Sequence, residues 1–119
     1  MNRRQILTAA PALGCAGIVP ATAFAEAETP VMRLYRAWDA ARIAWAAAGE
    51  GDLTDEDNNR WCEQVYQMAD DVLDVPSQGP LDFICKLMAQ TCLGEHDIEN
   101  CPRGSELWAE ARELIGGAA

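Results

Sequence analysis

The chain has 119 residues, half of them hydrophobic, with 19 acidic residues against nine basic ones and a formal net charge of −10. That length holds one small domain with one core. The charge repels nucleic acid and anionic lipid, which excludes DNA, RNA and peripheral membrane binding from the expected functions.

In chain order, residues 1–25 stand apart from the rest. Arg3 and Arg4 sit near the start, and from Gln5 to Ala25 there is no charged residue. The apolar run Ile6 to Val19 is interrupted by Pro11, Gly14 and Gly17, which oppose a stable helix in water. It leads to Ala23-Phe24-Ala25, a small-x-small triplet followed at once by Glu26 and Glu28. A basic end, a modest apolar run and a small-residue site form the layout of a secretory signal peptide cut after Ala25. Arg3 and Arg4, followed one residue later by Ile6 and Leu7, match the twin-arginine export signal in part. Asn2 and Thr8 depart from that pattern, so the twin-arginine and general secretory routes both stay open. The implied partner is an export translocase, and the implied location is periplasmic or secreted. The alternatives are a cytoplasmic protein with a chance basic start, or one anchored by an uncleaved N-terminus, since about 20 uncharged residues can cross a bilayer.

Export leaves residues 26–119 as a single acidic domain, with all 19 acids against seven bases and a formal charge of −12. Four helices are expected there and no strand. The first opens at Thr29-Pro30, an N-cap followed by proline at the first helical position. Its apolar stripe is Val31, Leu34, Tyr35, Trp38, Ala41 and Trp45 at three- and four-residue steps, and Gly49 and Gly51 stop it. The second starts at Thr54, with Asp55, Glu56 and Asp57 where the helix dipole favours negative charge. Its stripe is Trp61, Val65, Met68, Ala69, Val72 and Leu73. Pro76 to Pro80 reads as a turn. A third, shorter helix places Leu81, Ile84, Cys85, Met88 and Cys92 on its stripe, with Gly94 as C-cap. The last runs from about Pro102 to Ile115, with Leu107, Trp108, Ala111, Leu114 and Ile115 on one side. The expected fold is a small all-α bundle in which the four tryptophans serve as core.

Removing Cys15 with the signal leaves Cys62, Cys85, Cys92 and Cys101, an even set that suggests disulfides in an exported domain. Cys85 and Cys92 are seven residues apart on one expected helix, about 10 Å along its axis and beyond the roughly 7 Å reach of a bridge. That removes the pairing that would also join Cys62 to Cys101. In a hairpin turning near Ser77 and Gln78, residue 62 lies level with about residue 93, which brings Cys62 to Cys92. Cys85 is then left with Cys101, which requires Leu93 to Asn100 to fold back along the third helix. A rival arrangement gathers Cys62, Cys92, Cys101 and His96 as a Cys3His zinc set, but no close C-x2-C pair supports it.

Motifs for haem attachment, zinc proteolysis, serine hydrolysis and phosphate cradling are absent. Asp52 to Arg60 fits a calcium loop poorly: a template starting at Asp55 puts Arg60 where glycine is needed and Tyr66 where the bidentate Glu belongs. Glu95-His96-Asp97 reads as a solvated loop, and no catalytic residue, metal or cofactor is assigned. The segments MNRRQILTAAPALG, TPVMRLYRAWDAA and CPRGSELWAEARELIG together resemble a set of small alphaproteobacterial proteins, some prophage-associated, with a twin-arginine-like start. That resemblance implies a helical fold and a possible phage link, and it transfers no activity. The expected function is a non-enzymatic interaction or structural module whose acidic faces suit a basic protein partner. The alternative is a metal-binding or redox protein using the Cys/His cluster.

Overall fold

In a computed structural model of the chain, residues 28–116 are described. Arg3, Arg4, Ile6, Leu7, Cys15, Ala23 and Ala25, the residues of the expected signal, lie outside that range. Among the described residues there are four α-helices, one short 3-10 turn and no strand. They are α1 (Pro30–Ala48), α2 (Asp55–Asp74), α3 (Pro80–Thr91), the 3-10 turn Ile98–Asn100 and α4 (Gly104–Gly116). The protein is an all-α bundle. No helix among the described residues is long and apolar enough to cross a membrane.

The helix ends follow from local chemistry. Thr29 caps α1 by accepting the Met32 N–H on its hydroxyl at 3.1 Å, and Pro30 follows at the first helical position. Thr54 does the same for α2, accepting from Asp57 N–H at 3.0 Å, with three acids in the first turn. Residue 75 takes an extended conformation ahead of Pro76, whose ring disfavours helical geometry in the preceding residue, and α2 stops there. The third helix ends earlier than its glycine suggests. Cys92 is the C-cap in the left-handed region (φ 51°), and Leu93 (58°) and Gly94 (90°) follow it there. Leu93 N–H bonds Met88 O at 2.8 Å, and the Thr91 hydroxyl donates to Leu87 O and accepts from Gly94 N–H, so free groups at the helix end find partners.

The stripes of α1 and α2 meet as their periodicity requires. Val31, Trp38, Val65, Ala69, Val72 and Ala89 form the buried core, flanked by Leu34, Tyr35, Ala41, Trp45, Trp61 and Met68. The third and fourth helices depart from the expected pattern. Leu81 and Ile84, placed on the α3 stripe by spacing, are exposed, and the buried positions include Asp82, Lys86 and Thr91. Each of the two charged groups has a partner. Asp82 accepts the Thr29 hydroxyl at 2.7 Å and the Gln78 N–H at 2.8 Å, and Lys86 Nζ lies 3.0 Å from Glu110 Oε1 on α4.

Fully buried Leu107 and the Lys86–Glu110 pair, with Ser77 also donating to Glu110, seat α4. This helix starts at Gly104 rather than Pro102, and there a Cβ would fall 2.5 Å from Ile98 O, so the turn and the helix approach closely only because the residue is glycine. Trp108, expected in the core, is 52% exposed, and Leu114 and Ile115 are exposed too, because α4 packs through Leu107 and Glu110 instead. Lys86 is 3% exposed with one carboxylate partner. Removing Glu110 by Glu110→Ala strands that cation and is expected to cost about 3 kcal/mol in urea unfolding, whereas the apolar pair Lys86→Met with Glu110→Leu stays within about 1 kcal/mol of the parent.

Candidate functional site

A cavity of about 450 Å³ opens where α1, α2 and the end of α3 meet the loop that leads into α4. Trp38, Arg42 and Trp45 line it from α1, at the four- and three-residue steps that put them on one helix face. Tyr66 and Asp70 line it from α2, four residues apart for the same reason. Gln90 and Cys92 come from the end of α3, and His96, Asn100, Cys101 and Arg103 from the loop. Its size is in the range of small-ligand and side-chain pockets.

The aromatic side is preorganised. Trp38 is buried, with its ring centroid 5.5 Å from that of Tyr35. Trp45 meets Tyr66 edge to face at 6.5 Å and 78°, and its indole N–H donates to Asn58 Oδ1 at 2.8 Å. Tyr66 itself is 56% exposed and stands at the mouth.

Both arginines of the cavity are already engaged. Arg42 donates from Nε and Nη2 to Asp39 Oδ1 at 3.0 and 2.6 Å, and its guanidinium lies 5.7 Å over the Trp38 ring. Arg103 bonds both Glu106 oxygens at 2.7 Å and Asp74 at 2.6 Å, with Asp70 3.8 Å away. Those hydrogen bonds to Glu106 and Asp74 hold the Arg103 pKa up, and the Arg103 bond holds the Glu106 carboxyl below its usual range. Gln90 is also committed, donating to Asp70 Oδ1 and Ala69 O. A ligand anion would have to displace a carboxylate from either guanidinium. Exposed Glu95, Asp97 and Glu99 on the adjoining loop add further negative charge.

All four cysteines of the described residues are thiols. Cys92 and Cys101 line the cavity, whereas Cys62 and Cys85 do not. Cys85 packs against the core of α1 to α3, and Cys62 is half-buried on α2. Cys101 directs its thiol at Gln90 O (3.2 Å) and Asp97 O (3.6 Å). Although Cys92, His96 and Cys101 share the cavity, no three His, Cys, Asp or Glu side chains among the described residues converge well enough to hold a metal ion. Burial pushes the thiols of Cys85, Cys92 and Cys101 up, and neighbouring Asp82, Glu95 and Asp97, respectively, push the same way. They are therefore protonated at neutral pH and poor nucleophiles.

The sequence grouped Cys92, His96 and Cys101 as a candidate cluster and assigned Trp38 and Trp45 to the core, but it singled out none of Tyr66, Asp70, Arg42 and Arg103 for a site. Tyr66 carried a usable signal, an aromatic residue one place beyond the α2 stripe. Arg42 and Arg103 carried only an ordinary three-residue spacing to Asp39 and Glu106, and Asp70 carried none, because its partners Gln90 and Arg103 lie beyond its own helix. Compared with known proteins, the chain matches no family model, no curated protein and no solved structure.

The raised thiols set a pH dependence. A thiol whose folded pKa is raised contributes stability that is fully present below the unfolded pKa and is lost as pH rises through the folded one. Unfolding measured by circular dichroism under reducing conditions should therefore show stability falling above the ordinary thiol range. Iodoacetamide labelling of Cys85, Cys92 and Cys101 should be slow at pH 7 and rise about tenfold per pH unit, because only the thiolate reacts.

Proposed function

We propose that this chain is an exported, non-enzymatic helical interaction module, and that it receives a basic protein partner at the α1–α2–α3 cavity. The partner packs one apolar or aromatic side chain against the Trp45–Tyr66 pair and places flanking Lys or Arg residues against Asp70 and the loop acids Glu95, Asp97 and Glu99. One observation carries this reading: an open, aromatic-walled cavity whose own arginines are neutralised, set in a chain of strong negative charge. Aromatic anchors in a pocket surrounded by complementary charge are the usual make-up of an interaction hot spot.

The signal-like residues 1–25 support a periplasmic or secreted site of action, and cleavage after Ala25 leaves the Thr29 cap of α1 intact. The elevated thiols and the lack of a convergent ligand set among the described residues favour this reading over a redox or metal centre.

The test is photo-crosslinking in the native host, from a benzophenone side chain at position 66 and, as control, at exposed position 43, which lies outside the cavity. The expected result is a discrete adduct from position 66 alone, to a partner with a basic surface, in a chain whose mass begins at Glu26. Affinity for that purified partner should fall about tenfold on Tyr66→Ser, about 1.4 kcal/mol, and fall further with salt. Equal yields from both positions, or an acidic partner whose binding ignores salt, contradicts the proposal.

A further inference from the structure

We infer that Cys92 and Cys101 are the pair that this fold joins as a disulfide under oxidising conditions, closing one wall of the cavity. This differs from the pairing that the sequence suggests, Cys62 with Cys92 and Cys85 with Cys101. It is independent of who the partner is.

The geometry rests on how the chain turns at the end of α3. Cys92, Leu93 and Gly94 take left-handed conformations in succession, which swings the backbone out of the helix and back. His96 N–H then bonds Thr91 O at 2.9 Å, Asn100 N–H bonds Asp97 O and Cys101 N–H bonds Ile98 O, so the loop folds against the helix end that it has just left. The Cys101 thiol arrives 3.2 Å from Gln90 O, on the residue two before Cys92, and both cysteines line the same cavity.

Cys85 lies five residues before Gln90, about 7.5 Å along the α3 axis, and packs against α1 to α3 rather than lining the cavity. Cys62 does not line it either. The Cys101 thiol, held on Gln90 O, instead lies at the same end of α3 as Cys92 and on the same cavity.

With glutathione disulfide as oxidant the step balances. The Cys92 thiolate attacks one glutathione sulfur, its S–S bond breaks and one glutathione leaves as thiol. The Cys101 thiolate then attacks the Cys92 sulfur of the mixed disulfide and releases the second glutathione. Two protein S–H bonds are exchanged for one S–S bond, and the two protons and two electrons end on two glutathione thiols. Burial of both thiols makes the exchange slow near neutrality and faster as pH rises. Once formed, the bridge ties down the loop that carries His96 and Asn100 and so fixes the shape of the cavity mouth.

The experiment uses the chain from Glu26, equilibrated with glutathione disulfide at pH 8.5, alkylated, and cut with trypsin together with a protease specific for Glu and Asp, so that Lys86 separates Cys85 from Cys92 and all four cysteines fall on separate peptides. The expected product is two hydrogens lighter than the reduced chain, with the peptides of Cys92 and Cys101 joined and Cys62 and Cys85 alkylated. The double variant Cys62→Ser with Cys85→Ala should still lose two hydrogens and show a melting temperature several degrees higher when oxidised than when reduced. Cys92→Ser should lose none. Joined peptides containing Cys62 or Cys85, or four alkylated cysteines in the parent after full equilibration, would overturn the pairing.

Discussion

A single buried carboxylate ties the start of the bundle to its middle. Asp82, 1% exposed, accepts the Thr29 hydroxyl and the Gln78 backbone N–H. Thr29 is at once the N-cap of α1, so one hydroxyl both finishes that helix and fastens it to α3. Gln78 sits in the turn between α2 and α3, so the same side chain also shapes the hairpin. A buried carboxylate is tolerated only when its oxygens are hydrogen-bonded, and both are bonded here. The aromatic wall of the cavity follows from this clamp: Trp38 and Trp45 extend along α1 from its fastened end, and their position against α2 and α3 is set by how α1 is held there.

A second buried polar contact repeats the device one turn further along α3. Lys86 reaches Glu110 and holds α4, as Asp82 holds α1. The third helix is thus a central post with charged groups turned inward and Leu81 and Ile84 turned out. This inverts the usual amphipathic rule at two positions and is stable because each charge has a specific partner. It also leaves apolar side chains on the surfaces of α3 and α4, with Trp108 and Ile115 the largest.

These facts explain what could and could not be read beforehand. The caps at Thr29 and Thr54 and the stripes of α1 and α2 were legible because they depend on neighbours three or four residues away. The inward face of α3 was not, because Asp82 finds its hydroxyl 53 residues upstream and Lys86 its carboxylate 24 residues downstream. Spacing alone therefore assigned Leu81 and Ile84 to the core. Trp108 misled for the same reason, since hydrophobicity marks a helix face but not the neighbour that covers it. Gly104 is meaningful only once Ile98 is known to sit against it. The cysteines were recognised as a set, yet their neighbours depend on the left-handed turn at Cys92 and Leu93, a conformation that neither residue type advertises.

The bundle depends on the Thr29–Asp82 clamp, and a double-mutant cycle tests that dependence most directly. Unfolding free energies of Thr29→Val, Asp82→Asn and the double variant, measured by urea denaturation of the chain from Glu26, should reveal a coupling of about 2 kcal/mol, as for a buried hydrogen bond to a charged acceptor. Additive effects, with a coupling near zero, would mean that α1 is held by apolar packing alone and that the clamp is incidental.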